Sequence, residues 1–237
     1  MFFIVVRRWR IVMAAMFSIA AVVLNMLTLQ YLHADSLGKV DMSSLTGKKI
    51  MLDPGHGGID DGASGNGLIE KELNLTIARR LRDVLQSHGA EVMMIRDSDI
   101  DFYTRGKGGK RNDLMRRVEM INTSGADVFV SIHADAIKAT VRPGAGVLYG
   151  ATTGSKELAE ILQLALRDCP QGNKRQAKQD KGIIVLNAST IPGALIETGF
   201  LSESADAANL RDSAYQQAMA ERLAKGLAYH FSHNVGR

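Results

Sequence analysis

The chain has 237 residues, of which 46% are hydrophobic and 23% are charged, and its formal net charge is +4 at pH 7. This composition fits one globular domain with a short appendage and excludes extended disorder. The small charge, without a dense Lys/Arg run between aromatic residues, does not indicate a nucleic-acid partner. Cys169 is the only cysteine, which excludes an intramolecular disulfide and a thiolate metal cluster.

The N-terminal residues 1–35 have the pattern of a membrane anchor. Three arginines precede Ile11–Leu32, a stretch without a charged side chain that matches the ~20 residues of a transmembrane helix. Basic residues before the stretch predict a cytoplasmic N-terminus and an exported remainder. A cleaved signal peptide is the alternative, although Leu32-His33-Ala34 is a poor cleavage site. In both cases the folded domain is expected outside the cytoplasm, either anchored to the membrane or secreted.

Residues 36–47 are polar and predict a linker, and residues 48–237 predict one folded domain. In chain order we predict the strand Lys48–Asp53, helix Glu70–His88, strand Glu91–Arg96, helix Asp113–Thr123, strands Asp127–Ala134 and Val147–Tyr149, helix Ser155–Asp168, strands Ile183–Leu186 and Gly193–Glu197, and helix Tyr215–Phe231. This alternation predicts a single three-layer α/β domain, with a largely parallel twisted sheet and helices on both faces. The charged segments 97–112 and 170–182 are predicted surface loops whose roles stay open.

Three polar side chains follow predicted strands at the edge where parallel α/β sheets bind ligands. His56 comes after the first strand in a glycine-rich loop, as either an exposed turn residue or a ligand. His133 ends a strongly apolar strand, and a buried imidazole there needs a partner, either a backbone carbonyl or a metal. Glu197 ends another apolar strand, and its structural alternative is an ion pair, for example with Arg117.

Helical geometry separates Glu70 from Glu72 at the start of the first domain helix. At ~100° per residue, Glu70 projects from the centre of an apolar face that includes Leu73 and Ile77. Glu72 points roughly 200° away, toward solvent. A carboxylate on the core side is seldom left unpaired. Glu70 is therefore predicted to be functional, with a capping role at the helix N-terminus as the structural alternative.

Two imidazoles and one carboxylate form the donor set that is typical of catalytic zinc sites, in which a fourth position is left for water. A second glutamate beside that water can accept its proton, because the metal lowers the pKa of the water to ~7. The combination of residues at one sheet edge therefore favours a zinc hydrolase.

Four separated blocks carry a family resemblance that runs from about Lys48 to Phe231. They are the glycine-flanked His56, Glu70-Lys71, Ser131-Ile132-His133-Ala134 and Glu197-Thr198-Gly199-Phe200. In this order they resemble the signature blocks of zinc-dependent N-acetylmuramoyl-L-alanine amidases of the amidase_3 type. The resemblance implies one zinc ion, Zn²⁺, ligated by His56, Glu70 and His133, with Glu197 as the catalytic glutamate. It also implies hydrolysis of the amide between the lactyl group of N-acetylmuramic acid and L-alanine in peptidoglycan.

Three loop-borne segments are similar to the germination-specific spore cortex amidases of endospore formers: Asn112-Asp113-Leu114, Asn173–Lys178 and Ile191–Leu195. This likeness implies removal of stem peptides from cortex glycan as a step toward muramic-δ-lactam, in the intermembrane or cortex space of the spore. The implied partners are peptidoglycan, the membrane through the N-terminal segment, and an activator protein.

Three alternatives remain open at this stage. The first is a vegetative cell-wall amidase, or autolysin, with the same chemistry. The second is another zinc hydrolase, such as a carboxypeptidase that acts on the stem peptide, although this chain has neither an HExxH helix nor closely spaced histidine and glutamate ligands. The third is a non-catalytic, membrane-anchored wall-binding protein, which would have no need of Glu197.

Overall fold

The computed structural model describes residues 2–103, 108–136 and 143–233. The chain divides into two compact units, Met1–Lys39 and Val40–Arg237. The first unit is the single helix α1 (Phe2–Gly38), in which Trp9, Phe17 and other large apolar side chains are exposed. Across the described residues, none of the helices has the length and apolar character required to span a membrane. The anchor at residues 1–35 stays a prediction.

A six-stranded sheet forms the centre of the second unit, with the strand order β4-β1-β5-β8-β6-β7. The strands are β1 (Lys49–Pro54), β4 (Glu91–Met94), β5 (Val128–Asp135), β6 (Gly146–Tyr149), β7 (Lys178–Gln179) and β8 (Gly193–Phe200). Neighbours among β4, β1, β5 and β8 are parallel, whereas β6 is antiparallel to β8 and parallel to β7. Two short strands, β2 (Ser64–Gly65) and β3 (Leu68–Ile69), form a separate antiparallel pair. The largely parallel sheet predicted from the sequence is confirmed.

Helices cover both faces of this sheet. They are α2 (Glu70–Ser87), α3 (Gly109–Thr123), α4 (Ser155–Ala165), α5 (Ile184–Ala188), α6 (Ser204–Arg211) and α7 (Ser213–His233). Ile50 and Leu52 of β1 face the larger core, which also contains apolar side chains of α2, α4 and α7. Met51, between them, faces a smaller core with side chains of α3 and α5. Successive strand residues are thus buried on opposite faces, as expected for a parallel sheet between two helical layers.

The strand predicted at Ile183–Leu186 is wrong, because these residues lead into and form most of α5 (Ile184–Ala188). A short apolar run fits a buried strand and a buried helical turn equally well. Contacts with residues outside Ile183–Leu186 favour the helix over the strand. The carboxylate of Asp180 accepts hydrogen bonds from the backbone N–H groups of Gly182 and Ile183 at 2.7 and 3.1 Å, which starts the turn.

Part of the predicted linker 36–47 packs within the second unit. Met42–Leu45 form a 3-10 helix, and Asp41 accepts a hydrogen bond from the backbone N–H of Ser43 at 2.8 Å. Leu45 is fully buried in the larger core. The serine hydroxyl of Ser44 donates to the carbonyl of Ala228 in α7. The second unit therefore begins at Val40, before the first strand of the sheet.

Candidate metal centre

The four predicted site residues lie together at the carboxyl ends of the central strands. His56 follows β1, and His133 lies near the end of β5. Glu197 of β8 pairs directly with His133 in the parallel register. Glu70 is the first residue of α2 and approaches the same edge from the helical layer. Ligands of parallel α/β sheets bind at this edge, so the sequence prediction of a common edge is confirmed.

Helix α2 buries Glu70 and exposes Glu72, as the helical geometry predicts. Leu73 and Ile77 continue the buried face into the larger core. The backbone N–H of Glu70, which has no partner within the helix, donates to the carbonyl of Ala63 at 2.9 Å. A carboxylate in the first helical turn also interacts favourably with the helix dipole. Glu70 is therefore held at a fixed point on the edge of the site.

The carboxylate of Glu70 connects the two imidazoles. Its Oε1 lies 2.9 Å from Nδ1 of His133 and 3.2 Å from Nε2 of His56, and it accepts from the N–H of Ala134 at 3.2 Å. Its Oε2 accepts from the N–H of Ala63 at 2.7 Å. Burial alone would raise the pKa of Glu70, but the two histidines outweigh it and hold this pKa well below its usual range. The group is a carboxylate at neutral pH.

The donor atoms fit a zinc ion. One atom each from His56, Glu70 and His133 lie within 4.8 Å of one another. The two imidazole rings are 5.0 Å apart and inclined at 76°, so their nitrogens approach the carboxylate from different directions. Ligand atoms ~2.0–2.2 Å from a tetrahedral zinc ion lie about 3.4 Å apart. The two contacts of Glu70, at 2.9 and 3.2 Å, are close to that spacing, and two imidazoles with one carboxylate leave a fourth position for water.

Asp60 lies on the far side of the His56 imidazole, with Oδ2 2.9 Å from Nδ1. The ammonium group of Lys110 lies 3.2 Å from the same oxygen. Burial would lower the pKa of His56, but the carboxylates of Glu70 and Asp60 raise it above its usual value. This contact is an ion-pair distance, since Nδ1 of His56 has no partner of hydrogen-bond geometry among the described residues, and Nε2 on the other side of the ring faces Glu70. Sequence reasoning missed Asp60, whose only signal is its place four residues after His56.

The conformation of His56 is unusual and is held by its surroundings. Its φ is 60°, in the left-handed region that costs a non-glycine residue about 1–2 kcal/mol. Its carbonyl accepts a hydrogen bond of 2.7 Å from Nη2 of Arg117, and the carbonyl of Pro54 accepts one of 3.0 Å from Nη1. The buried guanidinium of Arg117 thus fixes the loop on both sides of Gly55.

Arg117 is not the partner of Glu197. It forms ion pairs with Asp53 at 2.7 Å and with Asp113 at 2.8 Å, and all three side chains are buried. The hydroxyl of Ser131 donates to the second oxygen of Asp53 at 2.7 Å. The ion pair considered as the structural alternative for Glu197 is therefore wrong for Arg117, whose charge is already balanced.

The carboxyl group of Glu197 is buried, and one of its oxygens, Oε2, has no hydrogen-bond partner within the part of the chain that the structure describes. Burial raises the pKa of Glu197 to about 7, against the opposing charge of His133 and with further increases from Asp135 and Glu70. A carboxyl group with a pKa near the working pH can both accept and return a proton. Unpaired buried polar atoms of this kind require a functional or structural explanation.

The segments 97–112 and 170–182, predicted as surface loops, are only partly loops, because α3 begins at Gly109 and β7 occupies Lys178–Gln179. Arg105 and Lys107 lie outside the described residues. Lys174 is exposed, whereas Arg175 is half-buried, with its guanidinium carbon 4.9 Å from the ring centre of Phe200. Its Nη1 donates to the carbonyl of Gly144 at 3.2 Å. Arg175 therefore packs beside the end of β8, while Lys110 contacts the metal centre through Asp60.

Comparisons with known proteins agree with this geometry. The Amidase_3 family, described as N-acetylmuramoyl-L-alanine amidase, matches residues 50–229. The germination-specific N-acetylmuramoyl-L-alanine amidase of Bacillus subtilis is 42% identical over 193 residues, which cover 79% of this chain and 81% of that protein. The amidase LytC of the same organism is 34% identical over 190 residues, or 79% of this chain and 36% of that protein.

Solved structures give the same result. The CwlD amidase from Clostridioides difficile, in complex with the GerS lipoprotein, superposes with a TM-score of 0.73 and 34% identity. The match covers 79% of this chain and 100% of that chain. An N-acetylmuramoyl-L-alanine amidase from Clostridium difficile 630 matches with a TM-score of 0.68, 30% identity, and coverage of 80% and 99%. The resemblance inferred from four sequence blocks is confirmed, and the chain belongs to the N-acetylmuramoyl-L-alanine amidase family.

Proposed function

We propose that the chain is a zinc-dependent amidase that hydrolyses the bond between the lactyl group of N-acetylmuramic acid and L-alanine in peptidoglycan. One observation carries the zinc assignment: His56, Glu70 and His133 converge beside the unpaired carboxyl group of Glu197. In this proposal the first three residues ligate one zinc ion, and Glu197 is the catalytic residue. Asp60 orients His56 through Nδ1.

The roles of the protein groups follow from their surroundings. Zinc, when bound, supplies a Lewis acid that polarises the scissile carbonyl and acidifies water. Glu197 accepts a proton from the attacking water and passes it to the departing nitrogen of alanine. Because the described surroundings leave Glu197 Oε2 without a hydrogen-bond donor, its proton affinity stays high enough for the first transfer. Because this pKa, about 7, stays near the working pH, the protonated group remains acidic enough to return the proton.

Three alternatives to this reaction have less support. A carboxypeptidase belongs to a different family from the one that matches residues 50–229. A non-catalytic wall-binding protein would gain nothing from a buried carboxyl group with a raised pKa, which is a cost to folding. A vegetative amidase shares all of the proposed chemistry and has the support of the 34% identity with LytC.

We further propose a role in the spore cortex, where the chain would remove stem peptides on the way to muramic-δ-lactam. The 42% identity with a germination-specific amidase over most of both chains supports this role. The related CwlD amidase of Clostridioides difficile was solved with the GerS lipoprotein, and an exported lipoprotein of that kind is the activator that we propose for this chain. The proposed location is outside the cytoplasmic membrane, with residues 1–35 as the anchor.

The anchor proposal has support from the composition of α1. Arginines precede Ile11–Leu32, which contains no charged residue. Phe17, Ile19, Leu24 and other large apolar side chains of this helix are exposed, and such a surface is stable in a lipid environment. The proposed orientation has the N-terminus in the cytoplasm, because the basic residues come first.

Mass spectrometry of digested peptidoglycan tests the reaction. The full chain, purified in mild detergent, should release stem peptides that begin with a free alanine amine and leave an intact lactyl carboxylate on the glycan. A zinc chelator should stop the release. Glycan strands cut between sugars, or peptides cut within the stem, would contradict the proposal.

Paired variants test the residue roles. Glu70→Gln should lower the zinc content, whereas Glu72→Gln, an exposed substitution on the same helical turn, should leave it unchanged. His133→Ala should also lose zinc. Glu197→Gln should keep one zinc per chain and lose hydrolysis by about 10²–10⁴-fold, the usual range for a general base. Substantial activity in Glu197→Gln, or stoichiometric zinc in His133→Ala, would refute the corresponding assignment.

Complementation tests the cortex role. Expression of this chain in Bacillus subtilis without its germination-specific amidase should restore muramic-δ-lactam to the spore cortex. An active enzyme that fails to restore it, while it digests vegetative wall, would favour the autolysin alternative.

A further inference from the structure

Arg96 is a buried cation whose hydrogen bonds all run to backbone carbonyls. It follows β4 and is 2% exposed. Its Nε donates to the carbonyl of Pro54 at 2.9 Å, and its Nη1 donates to that of Ser98 at 3.1 Å. Its Nη2 donates to the carbonyls of Gly55 at 2.9 Å and Lys71 at 2.8 Å. Among the described residues, no carboxylate lies within ion-pair distance of this guanidinium.

These acceptors belong to the segments that carry two of the proposed zinc ligands. Gly55 immediately precedes His56, and Lys71 immediately follows Glu70. A single nitrogen, Nη2 of Arg96, therefore joins the two backbones at points one residue from each ligand. We propose that Arg96 is a positioning residue of the metal centre, which sets the spacing between the His56 loop and the start of α2 and thereby the affinity for zinc. This inference rests on the proposed zinc function.

The chemistry of the guanidinium suits this role. Its planar, rigid set of donors can bind several acceptors in fixed directions at once, which a flexible ammonium group cannot do. The acceptors lie on β1, on the loop after β4 and on α2, which are distant in sequence. The carbonyl of Gly55 has two donors, because it accepts from Nη2 of Arg96 and also from Nδ2 of Asn74 at 3.3 Å. The loop before His56 therefore has little freedom to move relative to α2.

The charge of Arg96 makes its burial unfavourable, so its hydrogen bonds must offset a cost. Burial and the nearby charge of Arg117 lower the pKa of Arg96 to about 10, so the group stays charged at neutral pH at a cost to folding. A second cation also repels a divalent metal ion in the neighbouring centre. Both effects are unfavourable, and the hydrogen bonds to the ligand-bearing segments are the favourable contribution that offsets them.

Arg117 holds the same loop in a different way. It shares the Pro54 acceptor with Arg96 and binds the carbonyl of His56, but Asp53 and Asp113 balance its charge. Removal of Arg117 would leave two buried carboxylates unpaired and would destabilise the fold strongly. Removal of Arg96 leaves no carboxylate unpaired, and the carbonyls of Pro54 and Gly55 keep a second donor from Arg117 and Asn74. Substitution of Arg96 is therefore the better way to change the placement of the proposed zinc ligands without unfolding the protein.

The test measures zinc affinity and stability in parallel, in the full chain purified in detergent. Arg96→Met keeps the approximate length and removes the donors, and Arg96→Lys keeps the charge with fewer fixed donors. Arg80→Met is the matched control, because Arg80 lies on α2 and bonds to Gln216 and Gln217 of α7, away from the metal centre. Zinc dissociation constants come from competition with a chromophoric chelator, well below the melting temperature of each metal-free variant.

We expect Arg96→Met to weaken zinc binding by about 10–100-fold, the usual effect of a residue that orients metal ligands. Arg96→Lys should fall between Arg96→Met and the unchanged protein, and Arg80→Met should bind zinc normally. If Arg96→Met does not fold, Arg96→Lys decides the question through the same measurement. Lower melting temperatures with unchanged zinc affinity in both Arg96 variants would overturn the inference. Failure of the unchanged protein to bind one zinc would instead refute the proposed function.

Discussion

A methyl group at position 62 should disturb two of the proposed zinc ligands at once. Gly62 has a φ of +69°, and a Cβ built on it would lie 2.5 Å from Oε2 of Glu70 and 2.8 Å from Cδ2 of His56. Carbon and oxygen atoms pack favourably only beyond roughly 3.3 Å, so the Glu70 carboxylate or the loop would have to move by about 0.8 Å. Metal–ligand distances tolerate changes of only ~0.2 Å. We therefore expect Gly62→Ala to weaken zinc binding by about 10–100-fold or more.

Backbone strain contributes to this variant and needs a control. An alanine in the left-handed region costs about 1–2 kcal/mol, partly offset because alanine has less freedom than glycine in the unfolded chain. Gly125 also has a φ of +69°, and a Cβ there would have no atom within 4 Å. Gly125→Ala thus carries the same strain without the contact. Gly125→Ala should lose roughly 1 kcal/mol of metal-free stability, Gly62→Ala should lose more because of its added contacts, and only Gly62→Ala should lose zinc affinity.

Two measurements separate the effects. Thermal unfolding of the metal-free proteins reports the strain, and chelator competition reports the zinc affinity of the folded chains. Equal zinc affinity in Gly62→Ala and Gly125→Ala would refute the reasoning, because it would mean that the positions of Glu70 and His56 do not limit metal binding.

Three further predictions concern pH, metal and packing. A buried carboxyl whose pKa rises from 4.5 to about 7 loses stability as pH rises between these values, so Glu197→Gln should stabilise the metal-free protein by roughly 1–3 kcal/mol at pH 8. At pH 4.5 and below the difference should vanish. Urea unfolding at both pH values measures it, and a Glu197→Gln variant that is less stable than the unchanged protein at pH 8 would contradict the prediction. Chelator-treated enzyme should regain full hydrolysis with one equivalent of zinc, and recovery only with two equivalents would contradict a single site. Gly193→Ala should cost about 1–3 kcal/mol, because its Cβ would lie 1.8 Å from Cε1 of Phe129, and unchanged thermal unfolding would show that β5 and β8 can separate there.

Local sequence patterns were sufficient for much of the site. The period of the helix distinguishes Glu70 from Glu72, because only one side of α2 can face the sheet. The apolar runs before His133 and Glu197 identify parallel strands, whose carboxyl ends must meet at one edge. Each of these inferences depends on residues within one element, and the structure agrees with them.

Long-range contacts set the features that the sequence did not reveal. Arg96 and Arg117 look like ordinary surface cations in the sequence, and only the fold buries them against the carbonyls around Gly55. Asp60 acquires its position beside His56 from the left-handed turn of the loop. The run at Ile183–Leu186 carries no period that separates strand from helix. The arginine contacts join residues more than forty positions apart, whereas α5 depends on Asp180, two and three residues before the groups that it binds.

The direct pairing of His133 with Glu197 across β5 and β8 has a consequence for how this enzyme can diversify. The separation between the proposed metal ligand and the proposed base is set by hydrogen bonds between two central strands, which insertions in the surrounding loops leave unchanged. A one-residue slip within either strand would move its side chain to the opposite face of the sheet. Exchange of residues 97–103 and 170–177, which lie outside the helices and strands, is therefore a route to new glycan or peptide preferences with the same separation between His133 and Glu197.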